Sequence, residues 1–243
     1  MVIYGINPVL EALRAGRVDA IRFAHRGDAR LSELLDAARK AGVTLKRVDS
    51  DELERASHGG VHQGVVALLH DVESPTVEDL VESATGAALL VVLDGIEDPH
   101  NVGAILRSVD AAGAHGVVRQ LRHAAPLGGA TAKASAGAVA HVRVADVVNI
   151  ARALEELKEA GVWTVGLAGD ASKPYDEIDF TLPTAIVVGA EGAGLRRLVR
   201  ERCDWLVSVP MKGHVQSLNV SVATGIVLFE ALRQRRNPPR TAS

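Results

Sequence analysis

The sequence predicts an α/β protein in two parts, the second of which is built on an open, mainly parallel sheet. Helix-like and strand-like segments alternate over residues 1–70 and again over residues 85–243. The stretch AALLVVLDG, residues 87–95, is continuously apolar until its end, as in a strand that is covered on both faces. An acidic stretch containing Pro75 separates the two parts. We therefore predict a first domain over 1–70, a linker with a short helix over 71–84, and a second domain over 85–243.

Apolar spacing and turn residues predict the elements of the first part. A helix over NPVLEALRAG stops at Gly16, and a helix over RLSELLDAARKAG stops at Gly42. A third short helix, SDELERAS, opens with Ser50 as a cap-like residue. The predicted strands are AIRFAH, VTLKRV and GVVALL.

The second part shows the same alternation more strongly. Helices are predicted over VGAILRSVDAAGA and NIARALEELKEAG, and further short strands over GVV, VWTVGLAG, AIVVGAEG and WLVSVP. This order is typical of a parallel sheet with helices on both faces. The tail RQRRNPPRTAS is basic and contains prolines, so we expect it to be frayed.

Composition excludes several classes of function. Hydrophobic residues make up 47% and charged residues 23%, which is ordinary for a soluble globular protein. The net charge of −3 gives no global nucleic-acid signal, so any such site must be a local patch. Cys203 is the only cysteine, which excludes a disulfide framework and a cysteine-based zinc site within one chain. No signal peptide or membrane-length apolar run is present, so we expect a cytoplasmic protein without a membrane partner.

Histidines give no indication of a metal. His58 and His62 have an i, i+4 spacing, but Gly59 and Gly60 between them disfavour a helix. We therefore expect no metal site.

Unusual residues follow three of the predicted strands. The stretches are LDGIEDPHNVGAILRS, VVGAEGAGLRRLV and VPMKGHVQSLNVSVATGIVLFEALRQRR, and each joins a strand to a helix through a loop. Ligands of parallel α/β sheets bind outside the carboxyl ends of the strands. We therefore expect the three stretches to form one site.

The second of these turns disfavours a phosphate ligand. Gly189, Gly192 and Gly194 do not match the dinucleotide fingerprint, and a carboxylate at Glu191 would repel a phosphate at a helix N-terminus. The turn is better suited to a ligand with positive charge and no phosphate. The alternative is a tight turn with an exposed glutamate.

Four further polar residues each allow a structural and a functional interpretation. Asn101 stands where a helix starts and would serve as an N-cap, while Arg107 in the same helix offers a fork of donors for a phosphate or carboxylate, or is simply solvated. Ser217 and Asn219 precede the last helix, and either cap it or face the site.

Together the three stretches resemble the signature motifs of the SpoU (TrmH) family of RNA ribose 2′-O-methyltransferases. The matching residues are NVGAILRS, GAEGAGL and PMKGHVQSLNVSVATGIVLFE, within residues 86–236. The resemblance implies a SPOUT-class α/β catalytic domain with a deep trefoil knot. Residues 2–70, with GINPVLEAL and HQGVVALL, resemble the L30e-like RNA-binding domain of the family. This pairing is most similar to the subfamily that methylates a guanosine of 23S rRNA, and also to the thiostrepton-resistance enzymes.

The resemblance also implies roles for individual residues. S-adenosylmethionine would lie bent against the backbone of the knot loops, at Val188, Gly189, Val209, Met211, Gly213 and Leu218. Arg107 matches the catalytic arginine, and Asn101, Glu191, Ser217 and Asn219 match the polar residues around it. Family members work as homodimers through the knotted domain. RNA, and neither DNA nor a membrane, is the implied partner.

The reaction would be in-line attack of the ribose 2′-oxygen on the activated methyl group. It requires alignment and the removal of a proton. Because the pKa of arginine exceeds about 12, free arginine is a poor base. We therefore expect Arg107 to anchor the target phosphate or hydroxyl, with proton loss coupled to attack.

RNA contacts are expected in two regions. RQLRHAAPLGGATAKASAGA leads through the implied knot, and its Arg119, Arg122, His123 and Lys133 would meet phosphates, unless this is a solvated loop. Arginines of the first domain would add a salt-dependent surface. Some relatives carry a basic N-terminal extension that this sequence lacks, so we expect part of their RNA affinity to be missing here.

Other classes of function stay open at this stage. A non-catalytic RNA-binding module is one, and a nucleotide-dependent enzyme of Rossmann type is another. Methylation of an rRNA adenosine or of tRNA is possible within the same family.

Overall fold

The computed structural model describes residues 1–24, 28–70 and 73–236, and contains two sheets that follow each other along the chain. The first sheet has four strands and the second has six. The predicted α/β alternation is confirmed in both parts.

The first domain is a mixed sheet in the order β1-β4-β2-β3. Strand β4 is antiparallel to β1 and β2, whereas β3 is parallel to β2. Helices α1 and α2 cover one face, because their apolar residues recur at helical spacing, and α3 covers the other. The elements are β1 (Val2–Tyr4), α1 (Ile6–Arg14), β2 (Val18–Phe23), α2 (Ala29–Lys40), β3 (Thr44–Arg47), α3 (Ser50–Ala56) and β4 (Val65–Leu69).

The second domain is a parallel sheet in the order β10-β8-β9-β5-β6-β7. Strand order reverses between β5 and β9, which makes this edge the expected place for a ligand. The elements are α4 (Val77–Glu82), β5 (Leu89–Asp94), α5 (Pro99–Ala111), β6 (Gly116–Gln120), α6 (Gly129–Ala134), β7 (Val144–Val147), α7 (Ile150–Glu159), β8 (Trp163–Leu167), β9 (Thr184–Gly189), α8 (Arg197–Arg202), β10 (Trp205–Val207) and α9 (Val220–Arg236).

Both faces of this sheet are buried, as the apolar β5 sequence predicts. Leu89, Val91 and Leu93 point to one face, where α5 and α9 cover them. Leu90 and Val92 point to the other, where they share a cluster with residues of α4, α7 and α8. The alternation of side chains along a strand explains why no polar residue interrupts β5 before its last position.

Two details differ from the sequence-based expectations, and the short helix predicted within the linker is present. Helix α3 is capped by Asp49, which accepts from the backbone N–H of Glu52, and not by Ser50. Strands β1 and β7 and helix α6 were not predicted, because each is short and has weak periodicity. Helix α4, within the predicted linker, buries Val77 and Leu80 against the second sheet.

The two domains pack closely on each other. A Cβ at Gly128 would lie 2.5 Å from the carbonyl oxygen of Val2, so the loop before α6 touches β1 directly. His141 approaches Glu11 at 3.2 Å. One continuous cluster of buried residues extends from the first sheet into the second domain.

None of the helices within the described residues is long and apolar enough to cross a membrane.

Candidate active site

A cavity of about 300 Å³ opens at the carboxyl ends of β8, β9 and β10. Its walls come from the loops after these neighbouring strands and from the start of α9. The walls are largely apolar, and among the described residues that line them Glu191 is the only charged side chain. The cavity therefore lies where parallel sheets bind ligands, and it offers a negative charge and no cation.

Most of the residues predicted to hold a cofactor line this cavity. Val188, Gly189, Val209, Met211 and Leu218 are all in its wall. The structure does not bring Gly213 to it, since this residue lies in the exposed part of the loop between Met211 and Gln216.

Gly189 is required by the closure of the loop that follows it. A Cβ at this position would lie 2.2 Å from the carbonyl carbon and oxygen of Gly194. The loop folds back because the N–H of Gly194 donates to the carbonyl of Ala190 at 2.8 Å, and Gly192 and Gly194 have positive φ angles of 78° and 67°. The glycines therefore shape a tight turn that presents Glu191 to the cavity.

The far end of this turn is anchored to β5 by a buried carboxylate. Asp94 accepts from the backbone N–H of Arg196 at 2.8 Å and from its Nε at 2.6 Å. Sequence reasoning missed this pair. The signal for it was a carboxylate at the end of an otherwise apolar strand, which must find a partner when it is buried.

A chain of hydrogen bonds joins the three signature stretches. Nδ2 of Asn219 donates to Oδ1 of Asn101 at 2.8 Å, and Nδ2 of Asn101 donates to Oε2 of Glu191 at 3.3 Å. Three residues far apart in sequence thus form one polar cluster at the rim of the cavity.

Asn101 does not cap helix α5. Asp98 is the cap, accepting from the backbone N–H groups of His100 at 3.1 Å and Asn101 at 3.3 Å, with Pro99 as the first helical residue. The side chain of Asn101 is therefore free to bind Asn219 and Glu191, and it is 7% exposed.

Asn219 has both of the roles considered for it. Its Oδ1 accepts from the backbone N–H of Ser221 at 2.9 Å, which satisfies a free donor at the start of α9. Its Nδ2 meanwhile reaches Asn101. Ser217 lines the cavity and is exposed, and it makes no hydrogen bond to any residue that the structure describes.

Arg107 is exposed on α5 and is not joined to the polar cluster. Within the described chain its guanidinium forms no hydrogen bond or ion pair. Its position is six residues after Asn101, which places the two side chains about 120° apart around the helix axis. Arg107 therefore leaves the helix in a different direction from Asn101.

Arg119 is occupied by structural contacts. Its Nε lies 2.7 Å from a carboxylate oxygen of Asp146, and its Nη1 donates to the carbonyl of Ala125. Arg119 is therefore less available to an RNA phosphate than the sequence alone indicates. Arg122, His123 and Lys133 are exposed, so the neighbouring cations are accessible.

The chemistry of the cavity fits a cationic ligand without phosphate. The single carboxylate would stabilise a positive charge and the apolar walls would contact the uncharged parts of the ligand, whereas a phosphate would find no cation. Burial raises the pKa of the Cys203 thiol, which does not line the cavity, to about 12, so this thiol stays neutral and is no nucleophile.

The parallel sheet and the cavity for a cationic ligand at its carboxyl edge define an α/β methyltransferase. The chain belongs to the SpoU rRNA Methylase family, which it matches over residues 88–229. Residues 2–75 match a second family, described as RNA 2′-O ribose methyltransferase substrate binding.

Relatives of known name match almost the whole chain. The 23S rRNA (guanosine-2′-O-)-methyltransferase RlmB of Ralstonia nicotianae is 44% identical over 242 residues, covering 98% of this chain and 97% of that protein. RlmB of Pseudomonas syringae pv. tomato is 46% identical over 239 residues, and the match covers 96% of this chain and 95% of that protein.

A solved structure shows the same arrangement. This structure is the SpoU methyltransferase AviRb of Streptomyces viridochromogenes, crystallised in complex with AdoMet. It superposes with a TM-score of 0.82 and is 28% identical, and the match covers 97% of this chain and 90% of AviRb. These findings confirm the SpoU resemblance, the SPOUT fold class with its small first domain, and the assignment as a methyltransferase.

Proposed function

We propose that this protein transfers a methyl group from S-adenosylmethionine to the 2′-hydroxyl of a guanosine in 23S rRNA, in the cytoplasm. The observation that carries this proposal is the polar cluster of Asn101, Glu191 and Asn219 at the rim of an apolar cavity without cations. The choice of guanosine in 23S rRNA is supported by the two RlmB relatives, whose match includes the first domain.

The cavity fits S-adenosylmethionine by the chemistry of its lining. When bound, this cofactor supplies a methyl group activated by a sulfonium. Val188, Val209 and Leu218 would contact its apolar parts, and the carboxylate of Glu191 would attract its positive charge. Met211 adds a polarisable side chain to the same wall.

The polar cluster would orient the ribose. Asn101 holds Glu191 and Asn219 in one arrangement, so the amides are fixed before the substrate arrives. Ser217 has a free hydroxyl that can bind the ribose. Such positioning lowers the barrier by aligning the 2′-oxygen with the methyl group.

Arg107 would anchor the target phosphate or hydroxyl. Its guanidinium is exposed and free, and it offers planar pairs of donors. Because it points away from Asn101 within one protomer, we infer that a homodimer completes each site with the Arg107 of the other subunit.

Helix α9 offers a surface for this dimer. Val222 and Phe229 are 50% and 49% exposed, and Ile226, which is partly buried, lies between them at helical spacing. Exposed apolar side chains in such a row are typical of a subunit interface. Phe229→Glu should give monomers in sedimentation analysis, with loss of activity and retained folding by circular dichroism. A dimeric variant would refute this interface.

The main test is transfer of labelled methyl to unmodified 23S rRNA, small-subunit rRNA and tRNA. We expect label in 23S rRNA only, at a guanosine 2′-oxygen. Arg107→Ala should lose at least about a hundredfold in rate, since it removes charge-assisted bonds to the substrate. Arg152→Ala, at an exposed ion pair on α7, is the matched control and should keep full activity.

Other outcomes would contradict the proposal in distinct ways. Label in tRNA, or at an adenosine, would change the substrate. Cofactor binding without transfer to any RNA would indicate a non-catalytic module. If Arg107→Lys keeps a near-normal single-turnover rate, the planar fork is unnecessary and Arg107 acts only as a charge.

A further inference from the structure

A second, larger cavity lies between the two domains. Its volume is about 680 Å³. The first domain contributes β1 and the end of α3, and the second contributes the start of α5, the end of β6 and the segment 126–131. It opens at the same edge of the parallel sheet as the cofactor cavity, because β6 and α5 both reach it from that edge.

The walls of this interdomain cavity suit a flat, uncharged group. Val2, Leu127 and Pro99 give apolar surface, and the largely buried Tyr4 presents its hydroxyl edge. Arg119 also borders the cavity, but Asp146 neutralises its charge. The site therefore offers stacking surface and not a cluster of free cations for phosphate.

Polar groups in these walls lack partners. Tyr4 is 7% exposed, and its hydroxyl makes no hydrogen bond within the described part of the chain. Thr131 borders the cavity too, and its buried Oγ1 is also without a partner there. The exposed imidazole of His58 stands at the mouth. Buried polar groups are normally satisfied, so the unpaired Oγ1 of Thr131 beside a cavity points to a ligand with hydrogen-bonding groups.

The first turn of α5 lies between the two cavities. Pro99 lines the interdomain cavity, and Asn101, two residues on, binds Glu191 in the wall of the cofactor cavity. A polymer bound at the active site therefore has the interdomain cavity on the other side of this turn.

We propose that the interdomain cavity binds one unstacked nucleobase of the RNA substrate. RNA is recognised largely through unstacked bases that lie on aromatic side chains and form hydrogen bonds at their edges. The base would lie against Val2, Pro99 and Leu127, the Tyr4 hydroxyl would form a hydrogen bond with it, and His58 would contact it at the mouth. This proposal rests on the proposed function and adds a subsite to it.

The test compares RNA and cofactor affinity of the full-length protein. Ala130 is exposed and lines the cavity, so Ala130→Trp fills the space without altering the core. We expect binding to unmodified 23S rRNA transcript to weaken about tenfold, the typical worth of one stacked base. Affinity for S-adenosylmethionine should stay within about twofold. The control Ala160→Trp, at an exposed alanine ending α7, should change neither.

Milder variants and cross-linking give independent readouts. Tyr4→Phe keeps the ring and removes the hydroxyl, and should weaken RNA binding about threefold. Transcript containing 6-thioguanosine should cross-link to the peptide that carries Tyr4 or His58.

Some results would overturn the subsite alone. The subsite would be refuted if Ala130→Trp and Tyr4→Phe both bind RNA as tightly as the wild type while methyl transfer continues. It would also be refuted if every cross-link forms outside the peptides that carry Tyr4 and His58. Binding of free guanosine monophosphate at this site, with RNA affinity unaffected by Ala130→Trp, would also overturn it. Absence of methyl transfer by the wild-type protein would instead refute the proposed function.

Discussion

The two cavities are built in opposite ways. The cofactor cavity is formed by backbone loops that follow neighbouring strands of one sheet, and glycines set its shape. The interdomain cavity is formed by side chains of two domains that meet at Gly128 and Val2. The first is local to motifs that can be read in sequence, whereas the second exists only because two separately folded units pack together.

This difference teaches where specificity can vary. A backbone cavity tolerates little change, since each loop closes on another loop. The shape of an interdomain cavity changes with any surface residue that borders it. Proteins with the same cofactor site can therefore bind different RNA substrates. Substitutions at Gly189 and at Gly128 each change one of the two cavities.

The largest effect is expected from Gly189→Ala. The new Cβ would lie 2.2 Å from the backbone of Gly194, which must move together with Glu191. Overpacking of this kind costs about 1–3 kcal/mol, and here it distorts the cavity itself, so cofactor affinity measured by calorimetry should fall about a hundredfold. Gly213→Ala is the matched control, because nothing lies within 4 Å of its Cβ and it should bind normally. Unchanged affinity in Gly189→Ala would refute the closed-loop explanation.

A smaller effect is expected from Gly128→Ala. Its Cβ would meet the carbonyl oxygen of Val2 at 2.5 Å and separate β1 from α6. We expect the free energy of unfolding to fall by about 1–3 kcal/mol and RNA affinity to fall severalfold. Cofactor affinity should not change. Equal losses of both affinities would show that the cavities are not independent.

The smallest effect is expected at a site distant from both cavities. Burial, and then the charge of Arg235, lower the pKa of His115, whose Nδ1 accepts from the N–H of Leu89 at 3.0 Å. The unfolded chain therefore binds this proton more readily, and stability should be lost as the pH falls below about 6.5.

Thermal melting at about pH 7.5 and about pH 5.5 checks this sign. His115→Asn retains an acceptor for Leu89 without titrating, so it should lose fewer degrees on acidification than the wild type. Equal losses in both proteins would contradict a lowered pKa for His115.

The sequence predicted the elements with strong periodicity and several residues that line the first cavity, among them Gly189 and Leu218 but not Gly213. The continuous apolar run made β5 recognisable, and Glu191 in a glycine turn indicated a ligand without phosphate. Short elements such as β7 could not be predicted, because their stability comes from neighbouring strands and not from local sequence.

Long-range pairs were beyond prediction for a related reason. Asp94 and Arg196 come together only after the sheet forms. The same is true of the ion pair between Arg119 and Asp146. An arginine looks alike in sequence whether it is free, as Arg107 is, or paired. The interdomain cavity likewise depends on how two domains dock, which no local pattern records.

The most direct measurement is the affinity of Gly189→Ala and Ala130→Trp for both ligands, titrated separately with S-adenosylmethionine and unmodified 23S rRNA transcript. We expect Gly189→Ala to lose cofactor affinity and keep RNA affinity. We expect Ala130→Trp to keep cofactor affinity and lose RNA affinity. If both variants lose affinity for the same ligand, or if neither variant loses affinity for any ligand, the division of the active site into a cofactor cavity and an RNA cavity is contradicted.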